Sequence, residues 1–422
     1  MKKSRQGWVS FFEFLTNENS RVSDLSLPFR PFYYISDAEI IEDILIKSHA
    51  KTVRSDLHSL FALVTGNGLI ASDGEFWKQQ RKIIQPKFSK KSTYSYAPLL
   101  HKLCKKALDH YEEKYIEREF DISPSFFELS IQFIMDCIIG KLDRDDWSKL
   151  NNLFVEIYKY LELAMTRPIP IPSYIPSPVN LKLRKLTQQL DDEVQLIVDE
   201  LSKKAPHEDS ANMVHFLKNA PYQNEKTILS EVKTIFVAGH ETTSASLCWA
   251  FVTLGKKPEL QADLYKALKD VDINNWEDLL SNPYLDAFVS ELLRLYPAAW
   301  TFSRKTTDEI TVKNLKFPKG STLVFDLYHA MRDERFFKRP HIFEVDRFMK
   351  NKSEYPKHYI PFGAGPRLCI GNNLSIVELK IFLGQAVKRF EIELGSSYID
   401  ETKGVITIHP KYGVPVILKK RE

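Results

Sequence analysis

The run Phe362-Gly363-Ala364-Gly365-Pro366-Arg367-Leu368-Cys369-Ile370-Gly371 sets one cysteine among glycines and a proline, and an apolar helical pattern, Leu374 to Phe390, follows directly. Glycines let the backbone take left-handed turns and pass close to a large neighbour. A thiolate at the start of a helix meets free amide N–H groups and the positive end of the helix dipole. Sulfur presented in this way suits an axial ligand of haem iron. The competing reading of a solitary cysteine is a buried core side chain.

The remaining cysteines, Cys104, Cys137 and Cys248, lie far apart in apolar helical patterns and read as core residues. No zinc motif or disulfide framework is indicated, which fits a reducing cytosol. The chain has 422 residues, 43% hydrophobic and 27% charged, enough to bury a large core. A net charge of +4 is too small to argue for nucleic acid. Met1 to Thr16 contains no apolar run long enough for a membrane span or a secretion signal.

Helical periodicity dominates. The pattern predicts helices over Asp37 to Ile46, Gly74 to Gln85, Tyr96 to Tyr115, Ser125 to Gly140, Asp146 to Leu161, Leu181 to Lys204, Asn224 to Gly255, Pro258 to Ala267, Asn282 to Tyr296 and Leu374 to Phe390. Short β-branched runs predict strands at Ile310 to Val312, Thr322 to Phe325, Val405 to His409 and Val414 to Leu418. The proline-rich piece Arg167 to Pro178 reads as an extended loop.

A second motif, Ala238-Gly239-His240-Glu241-Thr242-Thr243, falls in the middle of the longest helix. Gly239 costs that helix about 1 kcal/mol relative to alanine, and close approach of a flat ligand is one compensation. Glu241 and Thr242 place a carboxyl beside a hydroxyl, and Thr242 can bond back to a carbonyl and open the helix locally. Two further patterns are Trp77-Lys78-Gln79-Gln80-Arg81, an indole N–H and a guanidinium four apart, and Glu291-Leu292-Leu293-Arg294, followed later by Arg347.

Taken in order, these motifs resemble the cytochrome P450 family, whose Phe-x-x-Gly-x-Arg-x-Cys-x-Gly loop is matched at every fixed position. The resemblance runs from about Pro31 to the end and looks like the soluble bacterial type. It implies a mainly α fold with a small β-rich lobe, a single domain over residues 1–422 and no fused reductase. The implied cofactor is haem b, with Cys369 as the iron ligand and Phe362, Gly363, Gly371, Ala238 and Gly239 around it. Trp77, Arg81, Arg304 and Arg367 are the implied partners of the haem propionates. Glu241 and Thr242 resemble the acid–alcohol pair that delivers protons to iron-bound dioxygen; Glu291, Arg294 and Arg347 resemble the structural Glu-Arg-Arg network. Two departures are Val345 where proline is usual and Met331 where histidine is common.

The expected activity is insertion of one oxygen atom from O₂ into a small organic substrate, by hydroxylation or O-dealkylation. Alternatives are a peroxide-driven peroxygenase of the same fold or a non-enzymatic haem-binding protein; the Glu241–Thr242 pair argues against both. Phe61, Leu63, Leu69, Phe236, Ala299, Trp300 and Phe302 are the expected pocket lining, mainly apolar and aromatic, suiting a lipophilic or aromatic substrate. Electrons are expected from a separate ferredoxin or flavodoxin with its NAD(P)H-dependent reductase. Lys78, Lys82, Lys87, Arg335, Lys338, Lys357 and Lys380 are candidates for a basic docking face. A monomer in the cytoplasm, without a transmembrane segment or nucleic-acid partner, completes the expectation.

Overall fold

The computed structural model describes residues 21–28, 30–142, 147–167, 171, 175–204, 212–350 and 352–421. Met1 to Thr16 and most of the proline-rich piece, 168–170 and 172–174, lie outside the described residues. In chain order the helices are α1 (Ala38–Ile46), α2 (Ser59–Thr65), α3 (Gly74–Ile84), α4 (Lys90–Tyr115), α5 (Ser123–Ile134), α6 (Ser148–Met165), α7 (Pro178–Lys203), α8 (Met213–Lys218), α9 (Glu225–Lys256), α10 (Pro258–Ala267), α11 (Trp276–Ser281), α12 (Pro283–Leu295), α13 (Leu327–Ala330) and α14 (Asn372–Arg389). The strands are β1 (Val22–Asp24), β2 (Phe32–Ile35), β3 (Thr52–Arg54), β4 (Glu119–Asp121), β5 (Thr301–Thr306), β6 (Ile310–Val312), β7 (Leu315–Phe317), β8 (Thr322–Asp326), β9 (Phe390–Leu394), β10 (Thr402–Gly404), β11 (Ile408–Pro410) and β12 (Pro415–Lys420). The predominance of helix with small sheets agrees with the fold class expected from the sequence.

The chain folds as two compact units, one within residues 1–53, 100–126 and 242–422, the other within 54–99 and 127–241. The first holds the sheets. Its largest has the order β1-β2-β8-β5-β3, with β2 parallel to β8 (Phe32 opposite Thr322) and β5 antiparallel to it. Helix α1 begins where the Asp37 carboxylate accepts the Ile40 N–H at 3.0 Å, a cap that contributes about 1 kcal/mol. Its apolar face, Ile40, Ile41, Ile44 and Leu45, joins Leu323, Phe325, Met331, Phe337 and Ile360 in one core. β12 is the middle strand of β4-β12-β9. Of the single strand expected over Val405 to His409, residues 405–407 form the bend between β10 and β11, which pair antiparallel, and Ile408 and His409 lie in β11.

The second unit is helical. Helices α6 and α7 pack together, and Lys149 of α6 pairs with Glu193 of α7. Lys233 of α9 pairs with Asp191 of α7. Helix α5 ends in a π-helical turn, Met135–Ile139. Helix α4 starts six residues before the expected Tyr96, with Pro98 inside it. An interior proline costs about 3 kcal/mol. The start is nevertheless supported by Ser89, whose hydroxyl accepts the Ser92 N–H at 3.2 Å, and by burial of Thr93 and Ala97.

Candidate active site

Cys369 is held by a tight loop in the first unit. Gly363 N–H bonds Ile360 O at 2.9 Å, Leu368 N–H bonds Gly365 O at 3.0 Å, and Cys369 N–H bonds Phe362 O at 3.0 Å. Gly365 has φ +69°, and a Cβ there would stand 2.1 Å from the Leu45 carbonyl oxygen of α1. Only glycine lets this loop lie against α1, so the core of the first unit fixes the cysteine. Gly371 precedes α14, and the Cys369 Sγ lies 4.0 Å from where its Cβ would be. Sulfur thus sits at the N-terminal end of an 18-residue helix, where unpaired amide donors create positive potential. Cys369 is exposed, whereas Cys104, Cys137 and Cys248 are buried, as their apolar settings predicted.

Helix α9 spans 32 residues, about 48 Å at 1.5 Å per residue. From Glu231 to Ala250 its residues are buried except Ala238, Gly239 and Thr242. Thr242 neighbours both Ala238 (i,i+4) and Gly239 (i,i+3) on the helix surface, so the three form one small accessible window. The helix is continuous through the window. Gly239 has a packing reason of its own, because a Cβ there would meet Ile134 Cδ1 at 2.8 Å. Glu241 is 5% exposed. His240 is fully buried among the rings of Phe127, Phe154 and Tyr158, at 5.1, 5.3 and 6.0 Å between centroids. Burial pushes its pKa down to about 3, so the imidazole is neutral at physiological pH. Burial and the nearby Glu241 raise the Tyr158 phenol well above its ordinary value.

Glu291 and Arg294 on α12 are both 0% exposed. Arg294 grips the carboxylate at 2.7 and 2.8 Å and also donates to the carbonyls of Met331, Pro340 and Ile342. Arg347 Nε reaches the same carboxylate at 3.3 Å, and Glu344 N–H donates to it at 2.9 Å. The structure therefore brings Glu291, Arg294 and Arg347 together. Val345 opens a 3₁₀ turn, Val345–Phe348, that carries Arg347.

Arg304 is 5% exposed on β5, its guanidinium 5.3 Å from the Phe302 ring. Arg367 closes the 3₁₀ turn before Cys369. In the second unit Trp77 and Arg81 stand one turn apart on α3, and Arg81 Nε donates to Gln85 at 3.1 Å. Phe61 and Leu63 on α2 and Phe302 on β5 keep some accessible surface, Leu69 is 9% exposed, and Ala299 is exposed. Phe236 and Trp300 were expected in the pocket lining, but they are 0% and 1% exposed. Side chains without accessible surface cannot touch a ligand, so both are core residues here. Lys380 and Arg335 also leave the candidate docking set. Lys380 is 4% exposed and donates to Asp286 and to Leu280 O, while Arg335 is paired with Asp333 and Asp37.

Sequence reasoning missed Glu378. This carboxyl is buried on α14 and accepts a hydrogen bond from Thr243 Oγ1, the residue after Thr242, at 2.9 Å. Burial raises its pKa to about 8, so it carries a proton at neutral pH. The available signal was a lone acid inside the apolar run Leu374 to Leu383.

The residues present fit a haem. Within the first unit the donor set is an exposed thiol at a helix N-terminus, with the guanidiniums of Arg304 and Arg367 as donors for carboxylates. Gly363, with φ +75°, leaves open space where a side chain would stand. Among the described residues no cluster of three metal-ligating side chains exists, and no helix is long and apolar enough to cross a membrane.

A family model described as Cytochrome P450 matches residues 2–416. A cytokinin hydroxylase of Arabidopsis thaliana is 28% identical over 410 residues, 92% of this chain and 79% of that protein. An echinocystic acid 23-monooxygenase of Saponaria officinalis is 26% identical over 425 residues, covering 93% and 80%. A human protein named Cytochrome P450 4Z1 is 25% identical over 422 residues, covering 93% and 83%. These plant and human relatives support the family and do not support the bacterial subtype.

Proposed function

Since this chain belongs to the cytochrome P450 family and is a monooxygenase built on haem b, we propose that it oxidises an apolar organic substrate, by hydroxylation or O-dealkylation, with Cys369 as the iron ligand. The observation that carries this reading is the accessibility of α9: twenty consecutive residues, Glu231 to Ala250, are buried except at Ala238, Gly239 and Thr242. A helix that exposes only a small gap, a glycine and a hydroxyl is built to meet a ligand at that point.

Bound haem supplies the activation of O₂ and the transfer of its oxygen atom. The chain's own residues hold and orient it and manage protons. Cys369 donates its sulfur, and the amide end of α14 favours the thiolate. Trp77, Arg81, Arg304 and Arg367 offer N–H donors to the two propionates. The Glu241 carboxyl and the Thr242 hydroxyl are the groups that would hand protons on; neutral His240, sealed among aromatic rings, stays out of the relay.

Phe61, Leu63, Leu69 and Phe302 favour a lipophilic or aromatic substrate. The two plant relatives are named for different substrates at similar identity, so likeness does not choose one. Electrons come from a separate ferredoxin or flavodoxin; Lys82, Lys338 and Lys357 are exposed cations that would steer an acidic partner. The test is turnover of a lipophilic panel with a reductase, NAD(P)H and O₂ against turnover on peroxide alone. Product in the first arm supports the reading; product only with peroxide makes the protein a peroxygenase, and product in neither arm overturns the enzyme reading of this panel's substrate class.

A further inference from the structure

The second unit holds a buried acid that the reaction does not use. Glu231 lies on α9 and is 0% exposed. Its Oε2 accepts the Leu69 N–H at 3.0 Å. Its Oε1 has no hydrogen-bond partner, nor does the hydroxyl of Thr234 one turn along. The segment that Glu231 holds is pressed flat on the helix. A Cβ on Gly68 would stand 2.1 Å from Thr234 Oγ1 and 2.6 Å from Ser230 O, and one on Gly66 would stand 2.5 Å from Ser230 Oγ. Two glycines and one carboxyl therefore set the position of Leu69, a residue read above as pocket lining.

We propose that Glu231 is a positioning residue acting as a proton-linked clamp: protonated, it holds the Gly66–Ser72 segment against α9, and ionised, it releases that segment. The role given to Leu69 rests on the proposed function; the clamp itself does not. A protonated carboxyl accepts the Leu69 N–H and leaves one neutral O–H unpaired, at a cost of about 1 to 3 kcal/mol. An ionised one leaves a charged oxygen buried without a partner, at a cost of several kcal/mol, and lifting the segment lets water reach it.

Among the described residues, the causes acting on Glu231 are burial and the Leu69 N–H, with no charged side chain among them. Burial is the main cause that raises the Glu231 pKa to about 7, opposed by the Leu69 N–H. On α9, Lys233 is paired with Asp191 of α7. The segment Gly66–Ser72 has no ionisable side chain, and Asp73 just after it accepts the Arg54 N–H. Helix α2 carries no ionisable residue. On α7, Glu193 is paired with Lys149.

The sign follows from linkage. The clamped state has its carboxyl at about 7, the lifted state near the ordinary 4.5, so rising pH favours the lifted state. Between pH 6 and 8.5 the lifted-to-clamped ratio rises about tenfold. Hydrogen exchange of the Leu69 amide, corrected for its intrinsic pH dependence and measured on the holoprotein, reads this ratio. The wild type should lose about tenfold protection between pH 6 and 8.5. Glu231→Gln keeps an acceptor and cannot ionise, so its protection should be high and flat. Gly68→Ala should be poorly protected at both pH values. Protection in the wild type that does not vary with pH, or a Gln variant that titrates like the wild type, overturns the clamp. The reduced carbon monoxide spectrum of the same samples reports separately on the haem reading.

Discussion

Replacing Glu378 by glutamine should change how stability depends on pH more than it changes the fold. The carboxyl is fully buried, and its pKa moves from 4.5 to about 8, with burial as the cause and the Thr243 hydroxyl opposing it. At about 1.4 kcal/mol per tenfold change, the ionised form is penalised by about 5 kcal/mol in the folded state relative to the unfolded chain. Below pH 4.5 both states are protonated and the wild type has its full stability. As pH rises from 4.5 through about 8 the unfolded chain releases the proton first, and stability falls. Between pH 5 and 8 this group alone should remove about 3.5 kcal/mol. Glutamine can still accept from Thr243 and does not titrate, so Glu378→Gln should be free of that loss. Urea unfolding of the holoprotein, followed by circular dichroism at pH 5, 6, 7 and 8, measures the difference. Other buried acids, Glu231 among them, contribute equally to both proteins and cancel. Parallel stability curves for wild type and variant would show that Glu378 is not a protonated buried acid.

Cys369→Ser should remove the long-wavelength Soret band of the reduced carbon monoxide complex, because oxygen is a poorer donor to iron than thiolate; a surviving band would mean another residue is the ligand. Thr242→Ala should leave haem content unchanged and lower the product formed per NAD(P)H consumed, since the hydroxyl no longer passes its proton; unchanged coupling would remove Thr242 from the chemistry. Arg294→Lys should cost about 3 kcal/mol or more in a thermal or urea melt, because one ammonium cannot replace five guanidinium bonds around a buried carboxylate; a loss under about 1 kcal/mol would contradict that geometry.

The features that were legible in the sequence are those whose residues lie close together along the chain. The Cys369 loop declares itself through fixed glycine spacing, the α9 motif through adjacent Glu241 and Thr242, and Glu291 with Arg294 through i,i+3 spacing. Strands were harder. Phe32–Ile35 pairs with Thr322–Phe325, and no local pattern announces so distant a partner. The first turn and a half of α4, from Lys90, lacks a strong apolar repeat; it is buried Thr93 and Ala97 that carry the helix back to that start. Glu231 and Glu378 look like ordinary helical acids until tertiary packing encloses them. Phe236 and Trp300 erred the other way: aromatic character suggested a pocket, and only the packing shows that both are sealed in the core.

The parallel pairing of β2 with β8 also bears on how the protein is made. The segment Phe32-Tyr33-Tyr34-Ile35 is synthesised early, and the strand that covers one of its edges arrives some three hundred residues later. At about 5 to 20 residues per second, that delay is on the order of tens of seconds. Throughout it a short aromatic strand offers bare amide and carbonyl groups to any neighbouring chain. Yield in the cell is then governed by the speed of translation and by chaperones that shield this edge, and a slower ribosome lengthens the hazard without altering the finished molecule.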